Sequence, residues 1–314
     1  MRKAIVTGAN GFIGQWLLRE LRRQGVAVTA VLREGRTLAP ETADAEIGAT
    51  PLRIVHCDAQ AYAQLPELIP ERDFDWFFHL AWAGNSGAAR GDARLQLENA
   101  ACAAEAARAA AALGCARFIG AGSLAEKDCQ AYIPLDGARP SPVSCYGTAK
   151  IAAHYCTKAA CADLGIEHIW LHLPNTYGEG NRTQNFVNFA ALRLLKGERA
   201  AFTSGEQLYE FMHVADTVRG MRAAAASGKA FHAYYIGDRP QPLKQYILDI
   251  RDAIDPALPL YLGEIPFQGT PQPQEAFDAA ALRADTGFAA EVPFARGIRR
   301  TLDWLRAEIE EGRL

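Results

Sequence analysis

Residues 3–14, KAIVTGANGFIG, decide how the rest of the chain is organised. Lys3 to Thr7 is a short apolar run, Gly8, Gly11 and Gly14 punctuate the segment after it, and FIGQWLLRELRRQG carries apolar residues at helical spacing. The order is strand, glycine-rich turn, amphipathic helix. Glycines let a backbone approach a pyrophosphate, and a helix N-terminus offers N–H groups and the positive end of the helix dipole. A glycine triplet alone suits any tight turn. The strand before it and the helix after it give this one the context of a dinucleotide site.

Outward from this unit the pattern repeats. VAVTAVL, PLRIVHCD, FDWFFHLAW, CARFIGAGS and IEHIWLHLP read as further buried strands, and helical stretches such as the alanine-rich RLQLENAACAAEAARAAAALG lie between them. Strands alternating with helices predict an α/β fold with a doubly wound parallel sheet, whose ligands bind at the carboxyl ends of the strands. Beyond Pro174 the rhythm changes. NTYGEGNR reads as a loop, and PALPLYLGEIPFQGTPQPQ is punctuated by proline. The expected division is a dinucleotide-binding domain over 1–174 and about 207–238, with a smaller mixed C-terminal lobe over about 175–206 and 239–314 that holds substrate.

The 314 residues suffice for a deep pocket. A formal net charge of -3, with Lys and Arg dispersed, leaves no electrostatic footprint for nucleic acid or an anionic membrane, so a small-molecule ligand is expected. No apolar run approaches the ~20 residues of a membrane span, and the first periodic element starts at Lys3, so a cytoplasmic location is expected. The seven cysteines are scattered with no CxxC pair, which suits reduced thiols. His168 and His172 are four apart but lie in the alternating run HIWLHL, a strand pattern, and no metal site is expected.

At the end of the second strand, dinucleotide folds usually place an acid for the adenosine ribose. This chain has Arg33 there and Glu34 next to it. An arginine at this place pairs with a 2′-phosphate and favours NADP(H), with NAD(H) as the alternative if Glu34 takes the ribose. Asp58, at the tip of IVHCD, is placed to reach the adenine amino group, or is a plain turn aspartate. In SCYGTAK, Tyr146 and Lys150 are four apart, so in a helix they share one face and the ammonium favours the phenolate. Ser123, closing the GAGS segment at a strand's carboxyl edge, gives that pair its weight.

TGANGFIG, FFHLAW, Ser123, YGTAK, LPNTYG, EQLYEFMHVADTV, YYIGD and GIRRTLDWL occur in order along the whole chain. Together they resemble an extended short-chain dehydrogenase/reductase of the NAD-dependent epimerase/dehydratase family, built on a Rossmann sheet. The resemblance implies that Ser123 and Tyr146 hydrogen-bond the substrate oxygen, Tyr146 passes a proton, and Lys150 holds the nicotinamide ribose and lowers the tyrosine pKa. It also implies that Phe12 and Ile13 present N–H groups to the pyrophosphate, that Leu80 and Ala81 line the cofactor, that Pro174 lies by the nicotinamide, and that Asn175 contacts sugar-nucleotide phosphates. A homodimer through the helix near 94–112 and the helix carrying Tyr146 is implied as well.

Two departures narrow the chemistry. Leu124 and Ala125 follow Ser123 where dehydratases of the family carry Asp-Glu, so sugar 4,6-dehydration is not expected, and Glu126, one position late, is expected to cap or face solvent. Tyr209 stands where relatives usually carry an arginine for the nucleotide diphosphate, with Arg182 and Arg193 as possible substitutes. Trp82 shapes a wall of the substrate pocket or packs in the core. The preferred reading is an NADP-dependent reductase or epimerase acting on a nucleoside-diphosphate sugar. The alternatives are an NADP-dependent carbonyl or alcohol oxidoreductase on a substrate without a nucleotide, which Tyr209 supports, and a non-catalytic NADP-binding sensor.

Overall fold

The computed structural model describes residues 1–43, 50–132, 137, 139–269 and 271–314. The first part of the chain runs β1 (Lys3–Thr7), α1 (Phe12–Arg23), β2 (Ala27–Leu32), the single turn α2 (Pro40–Ala43), β3 (Leu52–His56), the single turn α3 (Leu65–Leu68), β4 (Trp76–His79), α4 (Ala93–Ala112), β5 (Arg117–Ser123), α5 (Ala125–Tyr132), α6 (Ser144–Leu164) and β6 (Glu167–Leu173). It continues through β7 (Asn175–Tyr177), α7 (Phe186–Leu195), β8 (Leu208–Tyr209), β9 (Phe211–His213), α8 (Val214–Ser227), β10 (His232–Tyr235), β11 (Gln241–Pro242), α9 (Leu243–Ile254), α10 (Ala280–Thr286) and α11 (Phe294–Glu310). No helix among the described residues is long and apolar enough to cross a membrane.

Two compact units divide the chain. One holds 1–173, 218–236 and 280–288; the other holds 174–217, 237–279 and 289–314. The first contains a seven-stranded sheet in the order β10-β6-β5-β4-β1-β2-β3. All its pairings are parallel, as the strand–helix alternation predicts. From β1 the chain builds outward through β2 and β3, then returns to β4 on the other side of β1. The order therefore reverses between β1 and β4, whose carboxyl ends are Thr7 and His79, registered opposite each other. A crevice at such a reversal is where this architecture binds ligands.

The glycines of β5 have a packing reason. Gly120 pairs with Trp170 of β6, and a Cβ at Gly120 would lie 2.3 Å from the Trp170 ring. One at Gly122 would lie 2.2 Å from Trp170 Nε1. The indole lies across the neighbouring strand and fills the space two side chains would need. Ala100 and Ala103 of α4 and Ala153 of α6 close over the same indole, small enough to let both helices approach the sheet.

In the second unit, Tyr177, Val187, Ala190, Phe211, Ile247 and Leu302 share one apolar core. NTYGEGNR, expected as a loop, begins with the strand β7, which pairs in parallel with β9 through Asn175–Phe211 and Tyr177–His213. That strand exists because a partner from far along the chain comes beside it, which local pattern does not reveal. Replacing Gly122 with Ala is expected to destabilise the protein by about 1–3 kcal/mol, because the indole has nowhere to go. Urea unfolding should show a lower midpoint at an unchanged slope; an unchanged midpoint would mean that Trp170 shifts aside at no cost.

Candidate active site

At the strand-order reversal, Gly8 adopts φ +67° and packs directly on another backbone: a Cβ there would lie 2.6 Å from Ala81 N and 2.8 Å from the Leu80 carbonyl carbon. A Cβ on Gly14 would come within 2.3 Å of Gly8 O, so α1 can begin only with glycine at that place. Gly11 is the N-cap of α1, is exposed, and no side chain caps the helix. The first N–H groups of α1, those of Phe12 and Ile13, are thus not covered by a capping side chain. The cradle fits a pyrophosphate, with Leu80 and Ala81 forming its opposite wall. At the ends of β2 and β3, Arg33 and Asp58 are both exposed; Asp58 Oδ1 accepts the Glu34 N–H at 3.3 Å, and the Arg33 carbonyl meets His56 Nδ1 at 3.3 Å.

Ser123, at the end of β5, and Tyr146 and Lys150, on successive turns of α6, come together at the same edge. The Ser123 side chain is near enough to the Tyr146 phenol to favour its ionised form. Trp82 meets the Tyr146 ring edge-to-face, centroids 6.0 Å apart at 84°. The indole is fixed by its N–H donating to Gln96 Oε1 at 2.8 Å, while the fully buried Gln96 donates to the Gly84 and Ala89 carbonyls at 2.8 and 2.9 Å. Trp82 thus packs on the Tyr146 ring and also against the Ala100–Trp170 core cluster.

Lys150 Nζ is buried, donates to the Ala121 carbonyl at 2.6 Å and sits 3.6 Å from the Trp82 ring centroid. Burial lowers its pKa from 10.5 to about 7, against the pull of Glu126. Its ammonium is 5.9 Å from the Tyr146 ring centroid. Closer to that ring is a cation the sequence did not flag. The Arg90 guanidinium lies over Tyr146 at 4.5 Å, carried by the 3₁₀ turn of residues 87–91. Burial raises the Tyr146 pKa above its ordinary value, while the Ser123 side chain and Arg90 act to lower it. Arg90 was missed because its place depends on the path of a loop, which has no periodic signal.

Glu126 corrects half of an expectation: it does not face solvent but is fully buried behind Ser123, and from the first turn of α5 it caps that helix start, its carboxylate reaching back to the Ser123 N–H while Ser123 Oγ accepts the Ala125 N–H at 3.2 Å. Its Oε1 accepts the Ser123 N–H at 2.8 Å, and Trp170 Nε1 donates to both carboxylate oxygens at 3.1 Å. Burial pushes its pKa up, but His172 and these donors hold it below the usual carboxylate value. His154 and His172 stand beside it, and Glu126, His154 and His172 each offer a ligating atom within 4.8 Å of the others. Protein donors already meet both carboxylate oxygens, while His172 Nδ1 and His154 Nε2 are buried without a hydrogen-bond partner among the described residues.

Pro174, Asn175 and Tyr209 lie in the second unit. Pro174 is buried, Asn175 is exposed at the start of β7, and Tyr209 on β8 stacks on Phe211 at 5.7 Å. Arg182 pairs with Glu308 at 2.7 Å, and Arg193 donates to the Arg199 carbonyl at 3.2 Å.

The sequence pattern of the NAD dependent epimerase/dehydratase family matches residues 4–237. The chain belongs to that family. A dTDP-glucose 4,6-dehydratase of Shigella flexneri is 24% identical over 175 residues, 53% of this chain and 48% of that protein. The chain thus spans about half the length of the curated relatives it matches. Among solved structures, UDP-glucose 4-epimerase of Thermotoga maritima superposes with a TM-score of 0.79 at 20% identity, covering 98% of this chain and 99% of that one. MoeE5, in complex with UDP-glucose and NAD, superposes with a TM-score of 0.79 at 24% identity, covering the same shares. At such identities these likenesses establish the fold alone, a Rossmann-type parallel sheet.

The depressed Lys150 pKa has a consequence for stability in this family member. The unfolded chain keeps the lysine proton up to about 10.5 and the folded chain releases it near 7, so the unfolded state binds more protons in that window and stability rises with pH across it. Lys150→Met should remove this rise. The difference in unfolding free energy, wild type minus variant, should grow as pH is raised from 7 towards 10.5; a flat difference would show that Lys150 titrates normally in the fold.

Proposed function

We propose that the protein is an NADP-dependent oxidoreductase acting at a keto or hydroxyl carbon of a nucleotide-activated sugar, by 4-keto reduction or epimerisation. The observation that carries this reading is the Ser123–Tyr146–Lys150 set, with Tyr146 and Lys150 buried and Ser123 half-buried, at the sheet edge where the glycine cradle lies. Family membership and the nucleotide sugars named for its structural neighbours support the substrate class.

The nicotinamide dinucleotide, when bound, supplies or takes up the hydride. Phe12 and Ile13 N–H groups would hold its pyrophosphate, Arg33 its 2′-phosphate, and Leu80, Ala81 and Pro174 its remaining length. The exposed Arg33 at the end of β2 supports NADP over NAD, although the MoeE5 complex holds NAD. Ser123 and Tyr146 orient the substrate oxygen. In reduction the Tyr146 hydroxyl gives its proton to that oxygen; in oxidation the phenolate takes one. Arg90 and Lys150 favour the phenolate form, and Trp82 shields the site from water. Leu124 and Ala125 offer no carboxylate for dehydration. Asn175 is the proposed phosphate contact.

A second reading, a carbonyl or alcohol substrate without a nucleotide, is favoured by Tyr209, which is stacked on Phe211 and supplies no charge for a diphosphate. Thermal unfolding with NADP or NAD, then with UDP, TDP, GDP, CDP and ADP in turn, separates the two. A ligand at about a hundred times its Kd adds about 2.7 kcal/mol. A larger shift with NADP than with NAD, and a further shift with one nucleotide, are expected. No nucleotide shift moves the assignment to the second reading. Tyr146→Phe should keep the NADP shift and abolish turnover with the substrate so found; retained turnover would remove Tyr146 from the mechanism.

A homodimer through α4 and α6 is part of this proposal. These helices carry the exposed apolar side chains Leu97 (58%) and Tyr155 (59%). Light scattering at micromolar concentration should give twice the 34.1 kDa chain mass, and Leu97→Asp should return it to the monomer value; a wild-type monomer would end this part of the proposal.

A further inference from the structure

We propose that Glu126 is a positioning residue for the Ser123–Tyr146–Lys150 set: its carboxylate fixes the Ser123 backbone from behind and, two residues along β5 from the carbonyl that Lys150 holds, its charge favours the protonated form of that lysine. This rests on reading that set as an oxidoreductase site.

The space for the carboxylate is built into β5. A Cβ at Gly122 would lie 2.5 Å from Glu126 Oε1, so the glycine before Ser123 leaves room for that oxygen. The oxygen then turns back to take the Ser123 N–H at 2.8 Å. Trp170, held across β5 by the absence of side chains at Gly120 and Gly122, donates to both oxygens and locks the carboxylate plane. On the same strand, Lys150 Nζ donates to the carbonyl of Ala121, two residues before Ser123. The end of β5 is thus gripped by a cation at Ala121 and an anion at Ser123.

The groups facing the carboxylate come from three elements. β5 supplies the Ser123 N–H. β6 supplies the Trp170 indole and His172, whose Nδ1 is 3.5 Å from Oε1. α6 supplies Tyr146 and Lys150, on both of which the Glu126 charge acts, and His154, whose Nδ1 is 3.8 Å from Oε2. Burial lowers the His154 pKa to about 4, so its ring is neutral near pH 7, and the carboxylate stays ionised. Taking a carboxylate out of water costs several kcal/mol, and an apolar residue of similar volume would fill the space more cheaply. What an apolar residue cannot do is hold the Ser123 N–H and keep a proton on Lys150.

Two variants separate these tasks. Glu126→Gln removes the charge with nearly the same shape, whereas Glu126→Asp keeps the charge and loses the reach to the Ser123 N–H. With lysines labelled at 13Cε, only seven residues report, and the Lys150 signal is assigned by its loss in Lys150→Met. In Glu126→Gln the Lys150 titration should move from about 7 to lower pH; in Glu126→Asp it should remain near the wild-type position. Amide hydrogen exchange at Ser123 should be faster in Glu126→Asp. In Glu126→Gln, kcat should fall about tenfold with KM within about threefold.

An unmoved Lys150 titration in a Glu126→Gln protein that still binds NADP overturns the action of its charge on Lys150. Unchanged exchange at Ser123 in Glu126→Asp overturns the positioning, and decides it even if Glu126→Gln fails to fold. A stoichiometric transition metal in the wild-type protein would overturn both and reassign Glu126, His154 and His172. A Lys150 shift in a protein that turns over no nucleotide sugar or simple carbonyl would uphold the coupling and overturn the functional reading alone.

Discussion

Two backbones meet at the carboxyl edge of the sheet with no room for a side chain between them. Gly8, in a left-handed conformation, lies against the Leu80–Ala81 peptide, and Gly14 lies against Gly8. The constraint sets the angle at which α1 leaves β1 and holds the first strand beside β4, where the strand order reverses. The cradle, its opposite wall and the path of the chain from β4 into the Trp82 segment all depend on that approach. Any Cβ at Gly8 would force the strands apart or turn the helix out of line.

From that edge the site is built by filling, with large groups occupying what small residues vacate. Two glycines on β5 admit Trp170, alanines on α4 and α6 close over it, and the indole N–H then requires an acceptor in the interior. Glu126 provides it, and its charge, once buried, acts on Lys150 and Tyr146. Packing and electrostatics at this site are therefore not separable: the glycines that make room for a tryptophan also bring a carboxylate behind Ser123.

The parts legible in the sequence were those encoded by local pattern. Strand–helix alternation gave the parallel sheet, and the Tyr146–Lys150 spacing gave two side chains on one helical face. What stayed hidden depends on partners distant in sequence. β7 needs β9, Glu126 needs Trp170, and Arg90 needs the course of the segment after β4. Lys150 shows the limit most clearly. The spacing placed it near Tyr146, but its ammonium is committed to the Ala121 carbonyl and the Trp82 face, and the cation lying closer over the tyrosine ring comes from Arg90.

The energetic weight of Lys150 argues that this arrangement is retained for chemistry. A pKa moved from 10.5 to about 7 corresponds to on the order of 5 kcal/mol disfavouring the ammonium in the fold, comparable to the whole stability of many domains. A chain under selection for stability alone would place methionine or leucine there. A lysine poised near neutrality, next to a tyrosine whose own proton is held by burial, is instead suited to a site where a proton must move at pH 7. A sensor would use Lys150 only to hold the cofactor ribose, for which an ordinary lysine pKa suffices, and membership of an epimerase/dehydratase family adds to the reasons for ranking the enzyme reading above the sensor.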